Sequence, residues 1–163
     1  MNRREALIAG VSSVAATVAV THMANAEETK DENPDLDQIR ALLKAHDDAF
    51  TNHDMDGVLA CFTEKAAIMG SGPGEVWSGP DEMKIAYEHF FKGFDKGEQK
   101  FTYEFWISGL SPEMGWLMTA GNVNGKKAGK ALTYPLNISL TVVKKDQKWL
   151  IAAMHFSTLT GGK

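Results

Sequence analysis

The stretch that decides the fold lies near the end of the chain and reads Lys148-Trp149-Leu150-Ile151-Ala152-Ala153-Met154-His155-Phe156-Ser157. This long apolar run predicts a β-strand, in which side chains two residues apart point to the same face. Regular alternation places five side chains on one face, namely Trp149, Ile151, Ala153, His155 and Ser157. Because both faces are largely apolar, we expect both to be covered, so His155 and Ser157 need a polar partner or a ligand.

Three further segments before this run also read as strands. Apolar and polar residues alternate over 101–108, and two more runs extend over 114–122 and 126–144. Turn-forming residues at 111–113 and 122–125 separate these runs, which predicts an antiparallel meander. Pro135 interrupts the third run and predicts a bulge or a sheet edge there, because proline cannot donate to a strand ladder.

Helical patterns precede the strands. Apolar residues recur at helical spacing from Ile39 to His53, which predicts an amphipathic first helix. Asp54 is a suitable N-cap for a short second helix, and a third helix is predicted after Pro80. A brief strand is expected between the last two, at 66–69. Helices followed by strands are typical of an α+β domain with its helices on one face of a curved sheet.

The N-terminus has the pattern of an export signal. Arg3 and Arg4 precede an apolar run that reaches about Thr21, and the small-x-small sequence Ala24-Asn25-Ala26 follows. The paired arginines resemble a twin-arginine signal of bacteria. The alternative is an uncleaved anchor, although the apolar run is short for a bilayer span.

We therefore expect three regions: a signal peptide at 1–26, a flexible leader at 27–34 and one folded domain at 35–160. The domain is expected in the periplasm or outside a bacterial cell, with no membrane contact after cleavage. The net charge of −4 for the whole chain and the scattered lysines predict no nucleic-acid partner. The single cysteine, Cys61, excludes an intramolecular disulfide and is expected to be buried filler.

Metal and cofactor sites are not predicted. His46 and His53 lie on the apolar face of the first helix, two turns or about 10 Å apart. That separation is too large for joint ligation of one ion, and no zinc motif accompanies them. Asp47 and Asp48 are assigned to the solvated face of the same helix.

Three segments resemble the nuclear-transport-factor-2-like superfamily and, within it, the SnoaL-like group. They are residues 53–62, residues 77–83, and the spacing Trp149-x-Ile151-x-x-x-His155-x-Ser157. The resemblance implies a cystatin-like α+β cone, in which three helices pack on a curved, mostly antiparallel sheet around a pocket. It also implies a homodimer formed through the outer sheet faces, and the apolar residues on both faces of the later strands favour such pairing independently.

Two residues are candidates for proton transfer. His155 can act as a general acid or base because imidazole titrates near neutral pH. Glu104 is a carboxylate in an aromatic strand, where an apolar cavity would raise its pKa. The alternatives are a hydrogen-bonded core histidine and an outward carboxylate paired with a lysine.

Aromatic residues are the candidates for the pocket wall. With Ser157 as a polar contact, the predicted ligand-binding residues are Trp77, Tyr87, Tyr103, Trp106 and Tyr134. Such a surface suits a small apolar or aromatic molecule. The alternative is that these side chains only fill the cone.

Three functions remain open at this point. The first is an enzyme of the isomerase, cyclase or dehydratase kind that uses acid–base catalysis and no cofactor. The second is a ligand-binding protein without turnover, and the third is a dimerisation or association module. The superfamily includes ketosteroid isomerases and polyketide cyclases, but their catalytic aspartates have no motif match in this sequence.

Overall fold

The computed structural model describes residues 33–158, and for Phe105 and Trp106 it describes the backbone alone. The predicted signal peptide and most of the predicted leader lie outside these residues. The elements in chain order are α1 (Pro34–Thr51), α2 (Met55–Leu59), β1 (Phe62–Met69), β2 (Val76–Ser78), α3 (Gly79–Phe91), β3 (Lys100–Leu110), β4 (Met114–Lys127), β5 (Lys130–Lys145) and β6 (Lys148–Ser157).

The strands of the described region form one six-stranded sheet in the order β2-β1-β6-β5-β4-β3. Every neighbouring pair is antiparallel except β1 and β6, which run parallel. The predicted α+β class, with three helices on a curved and mostly antiparallel sheet, is confirmed. Within residues 33–158, no helix has both the length and the apolar character needed to cross a bilayer.

The first helix is fixed at its start by polar contacts. Asn33 is the N-cap and accepts a hydrogen bond from the backbone N–H of Asp35 (3.0 Å), and Pro34 occupies the first turn, where its missing N–H costs nothing. The carboxylate of Asp35 accepts from Lys144 Nζ (2.7 Å) and from Trp149 Nε1 (3.1 Å). These bonds hold the N-terminus of α1 against β5 and β6 and lower the pKa of Asp35, the lysine contact having the largest effect.

The hydrophobic core lies between the helices and the inner face of the sheet. The largest fully buried side chains among the described residues come from α2, β1, α3, β4 and β6, and they are Val58, Ile68, Met83, Val123 and Ile151. The two faces of the closing strand therefore differ. One packs against this core, and the other lies on the outer surface of the sheet.

Two β-bulges correct the predicted alternation. In β6, Ile151 pairs with Val142 but Ala153 pairs with Thr141, so Ala152 is an extra residue. In β3, the register shifts in the same way around Glu104. Because a one-residue insertion moves all later side chains to the other face, the predicted common face for Trp149, Ile151, Ala153, His155 and Ser157 is wrong beyond Ile151.

The predicted turn at 122–125 is also wrong, since β4 continues through it to Lys127. The chain reverses instead at Ala128 and Gly129, both with positive φ (51° and 75°). Their backbone N–H groups donate to the Asp95 carboxylate at 2.8 and 2.7 Å, which lowers the pKa of Asp95. Pro135 causes no bulge against β4, with which it is in unbroken register. On its other side the pairing of β5 with β6 begins only at Asn137, so Pro135 lies where β5 has a neighbouring strand on one side among the described residues.

We predict that Asp35→Asn reduces the dependence of stability on acid pH. The folded-state pKa of Asp35 lies below its ordinary value of 3.8, so its charged contacts stabilise the fold above that pH and are lost as the pH falls further. The variant should have a lower Tm at pH 7 and a smaller decrease of Tm below about pH 4.

Thermal unfolding followed by circular dichroism from pH 7 to acid measures both effects. Asp37→Asn is the matched control, since Asp37 is in the same helical turn but only pairs with exposed Arg40. If the Tm of Asp35→Asn decreased below pH 4 as much as the Tm of the wild type, the acid-sensitive contact would not be that of Asp35.

Candidate functional site

A cavity of about 400 Å³ lies between the helices and the inner face of the sheet. Its walls come from α1, from α3 and the loop after it, and from β3, β5 and β6. Most of the lining is apolar or aromatic, contributed by Phe50, Phe90, Phe94, Phe101, Leu136, Ile138, Met154 and Phe156. This volume and lining fit a small organic ligand.

A hydrogen-bonded cluster of polar side chains stands in the cavity wall. His46 on α1 is only 8% exposed, and its Nε2 lies 2.9 Å from the hydroxyl of Tyr87 on α3. Its Nδ1 lies 3.3 Å from Oδ1 of Asp47, while Oδ2 of Asp47 accepts from the hydroxyl of Tyr103 on β3 (3.2 Å). The chain Tyr103–Asp47–His46–Tyr87 therefore links the sheet to both long helices.

The position of His46 follows from the helical period. His46 is seven residues after Ile39 and four before Phe50, so all three project from one face of α1. The imidazole stacks on Phe50 with ring centroids 6.2 Å apart and meets the edges of Phe62 and Tyr87 at 5.6 and 6.1 Å. Aromatic packing thus fixes the ring, and its two nitrogens point to fixed partners.

The network assigns the direction of each proton. A carboxylate only accepts, so Nδ1 of His46 donates to Asp47 and, in neutral imidazole, Nε2 accepts from Tyr87. Burial raises the pKa of Tyr87 well above the ordinary value of a phenol, and the nearby Cys61 and Asp47 add to this. Burial, together with the charge of Asp47, also raises the pKa of Tyr103. Both phenols therefore stay protonated and serve as donors.

Only some of the aromatic residues predicted to bind a ligand lie at the cavity. Tyr87 and Tyr134 line the cavity, and Tyr103 reaches its polar cluster through Asp47. Trp77 instead packs edge-to-face on Phe90, with ring centroids 5.5 Å apart, and does not border the cavity. Trp106 lies in β3 opposite Thr119, and only its backbone is described.

The two residues predicted for proton transfer lie outside the cavity. His155 is exposed on the outer face, in register with Ser139 on β5 and Met69 on β1, because the bulge at Ala152 reverses its direction. Glu104 is the extra residue of the other bulge, is exposed, and accepts a hydrogen bond from Asn122 Nδ2 (2.8 Å). Their catalytic roles stay untested predictions, and neither side chain is placed where a ligand in this cavity could meet it.

Ser157 does not line the cavity either. It follows His155 by two residues in β6 and pairs with Asn137, whereas the neighbouring Phe156 and Thr158 border the cavity. The closing strand therefore contributes Met154 and Phe156 to the cavity wall, and not the predicted His155 and Ser157.

Sequence reasoning did not identify His46 and Asp47 as site residues. The assignment of Asp47 to the solvated face is wrong, since its side chain is 29% exposed against 60% for Asp48. The available signal was a histidine on the apolar stripe of an amphipathic helix with a carboxylate beside it. A buried imidazole needs hydrogen-bond partners, and the adjacent carboxylate is the nearest acceptor.

Other titratable groups in the region have different surroundings. Within the part of the chain that the structure describes, no group of three or more His, Cys, Asp or Glu side chains could hold a metal ion. Burial raises the pKa of the Cys61 thiol. His53 is packed between Phe91 and Phe94, and this desolvation lowers its pKa.

The curved sheet, the three helices on its inner face and the cavity between them define a nuclear-transport-factor-2-like protein with the cystatin-like fold. The sequence profile of the SnoaL-like domain matches residues 39–161. The chain therefore belongs to the SnoaL-like domain family. Among curated proteins, no sequence matches it.

Solved structures share this fold. A nuclear-transport-factor-2-like protein of unknown function from Shewanella oneidensis is 28% identical, with a TM-score of 0.56 over 76% of this chain and 98% of that one. A ketosteroid isomerase-like protein from Erwinia carotovora atroseptica is 24% identical, with a TM-score of 0.63 over 79% and 99%. A candidate calcium/calmodulin-dependent protein kinase II association domain from Xanthomonas campestris is 14% identical, with a TM-score of 0.67 over 87% and 100%.

We predict that Tyr87→Phe destabilises the protein by about 1–3 kcal/mol, because it leaves Nε2 of a buried histidine without its donor. Equilibrium unfolding in urea measures the change. The double variant His46→Phe/Tyr87→Phe should lose less free energy of unfolding than the two single variants lose together, since both substitutions remove the same hydrogen bond. Additive losses would show that the two side chains are not coupled.

Proposed function

We propose that this chain binds a small, largely apolar molecule in the cavity and acts on it by acid–base catalysis without a cofactor, in the manner of an isomerase or dehydratase. The single observation that carries this proposal is the hydrogen-bonded His46–Asp47 pair in the wall of an otherwise apolar cavity. A titratable group held by a second polar group beside a concave apolar surface is the usual arrangement of a proton-transfer site.

The proposed roles follow from the proton directions. Asp47 holds His46 in the tautomer that leaves Nε2 as an acceptor, and its charge stabilises the imidazolium that forms when Nε2 takes a proton. The Tyr87 hydroxyl donates to Nε2, so a ligand proton reaches His46 when this hydroxyl turns aside. The released phenol can then donate to an oxygen on which negative charge develops.

The comparisons support the class of reaction and do not fix it. Ketosteroid isomerase is part of the name of the Erwinia protein, whose similarity to this chain concerns the fold. Moving a proton from carbon next to a carbonyl requires a base near an apolar substrate and a donor for the oxygen. The cavity contains both kinds of group, so we propose a carbonyl compound as the substrate class.

We predict that His46→Gln abolishes turnover and leaves binding of the substrate intact. The assay uses a β,γ-unsaturated ketone, whose conversion to the conjugated enone is followed by ultraviolet absorbance, with binding measured separately by calorimetry. Asp47→Asn should lower kcat by about 10²–10⁴-fold, as expected for loss of a general-base partner. His155→Ala and Glu104→Gln are matched controls outside the cavity and should retain wild-type rates.

Two results would change the proposal. Binding of the ketone without any turnover in the wild type would support the non-catalytic ligand-binding alternative. Full activity in His46→Gln together with loss of activity in His155→Ala would return catalysis to the outer face and overturn the proposed site.

We also propose that two copies pair through the outer face of the sheet. Six large apolar side chains on this face are exposed: Met69, Val76, Ile107, Met114, Trp116 and Met118. Five strand pairings place Ile107, Met118, Ser139, His155, Met69 and Val76 in one row across the sheet. An apolar surface of this extent is typical of an interface, and twofold pairing is the commonest way to cover it.

We predict that Met118→Glu converts a wild-type dimer into a monomer, because each interface would then bury two uncompensated carboxylates. Sedimentation velocity measures the mass. Ile85→Glu is the matched control, since Ile85 is 64% exposed on α3, away from the sheet face. A monomeric wild type would contradict the proposed pairing, and a dimeric Met118→Glu would place the interface elsewhere.

Export is proposed on the N-terminal sequence alone. The paired arginines, the apolar run and the Ala24-Asn25-Ala26 pattern support a cleaved signal peptide and a periplasmic or secreted protein. N-terminal sequencing of protein recovered from the expressing bacterium tests this, with Glu27 as the expected first residue and Met1 as the contrary result.

A further inference from the structure

A second polar group lies in the same cavity, on the sheet rather than on the helices. Tyr134 of β5 lines the cavity, and its hydroxyl oxygen accepts a hydrogen bond from Gln99 Nε2 (3.2 Å). The hydroxyl proton is not used in that bond, so it can be donated to another acceptor. Burial raises the pKa of Tyr134, more than the Gln99 contact lowers it, and the phenol remains protonated.

Thr158 supplies a second hydroxyl at this end. It follows Ser157, which pairs with Asn137 at the end of β6, and it lines the cavity together with Leu136 and Tyr134 of β5. Its Oγ1 is buried and has no hydrogen-bond partner within residues 33–158. Leaving a buried polar atom unpaired is costly, so the Thr158 hydroxyl calls for a polar ligand atom.

The charge of the lining restricts what that atom can be. Among the described residues, the cavity lining includes the Asp47 carboxylate and the imidazoles of His46 and His89, and no lysine or arginine. A carboxylate or phosphate ligand would meet like charge at Asp47 and lose its hydration without a permanently cationic partner. An uncharged oxygen acceptor avoids both costs and matches a phenol donor.

We infer that Tyr134 and Thr158 form a second anchor in the cavity, which binds an uncharged hydrogen-bond acceptor of the ligand such as a ketone or ester oxygen. Gln99 is the positioning residue, because it orients the Tyr134 hydroxyl so that its proton points into the cavity. This inference rests on the proposed ligand-binding function and adds the residues on the sheet that would hold an uncharged oxygen of the ligand.

The test compares two probes of similar shape, 2-acetylnaphthalene and 2-ethylnaphthalene, which differ in the carbonyl oxygen. Calorimetry on the wild-type protein should give about tenfold tighter binding of the ketone, equivalent to about 1.4 kcal/mol. Tyr134→Phe should remove this preference and leave the affinity for 2-ethylnaphthalene unchanged. Gln99→Leu should reduce the preference, and Ile85→Ala, at an exposed position of α3 outside both the cavity and the outer sheet face, should retain it.

The infrared carbonyl stretch of bound 2-acetylnaphthalene gives a readout that a purely structural role would not change. Hydrogen bonding from Tyr134 should lower its frequency in the wild type, and Tyr134→Phe should raise it again. If both probes bind equally to the wild type, or the stretch is the same in Tyr134→Phe, the anchor is wrong while the cavity stands. If neither probe binds, the proposed ligand-binding function fails and the anchor fails with it.

Discussion

The extra residue at Ala152 determines which side chains of the closing strand meet the cavity. Before it, Trp149 and Ile151 face the core; after it, Met154 and Phe156 do so and His155 turns outward. Without the bulge, the alternation would direct His155 inward and remove two apolar side chains from the cavity wall. The same insertion increases the local twist of β6 where it pairs with both β5 and β1, which favours the curvature that encloses the cavity.

The hydrogen bond between His46 and Tyr87 joins residues 41 positions apart and fixes α1 relative to α3. Burying an imidazole and a phenol is costly unless each is paired, so the network stabilises one arrangement of the helices and disfavours others. The carboxylate of Asp47 completes this network from the helix side, and Tyr103 completes it from the sheet. A group able to move a proton is thereby held in place by the same contacts that hold the fold.

Element order and apolar periodicity were sufficient to predict the α+β class, because helical and alternating patterns occupy separate parts of the chain. The bulges were not predictable, since Ala152 lies in an apolar run without the glycine or proline that often marks a bulge, and Glu104 lies in a regular alternation. Asp47 and Asp48 are adjacent carboxylates that differ in exposure. The difference depends on Tyr103, 56 residues away in the sequence, whose hydroxyl donates to Asp47. Of the predicted aromatic residues, Tyr87 and Tyr134 do line the cavity, whereas His46 and Asp47 were missed because their roles depend on distant partners.

The cavity and the outer apolar face are two sides of the same strands, and this connects the two proposals. Along β4, exposed Met118 lies between Leu117 and Thr119, which are both buried on the inner side. Along β6, His155 lies between Met154 and Phe156 of the cavity wall. Covering the outer face would restrict the fluctuations of these strands and thereby lower the entropy cost of ordering the inner wall around a ligand. Pairing of two copies is then expected to favour ligand binding even though no outer side chain touches the ligand, and by reciprocity a bound ligand favours pairing.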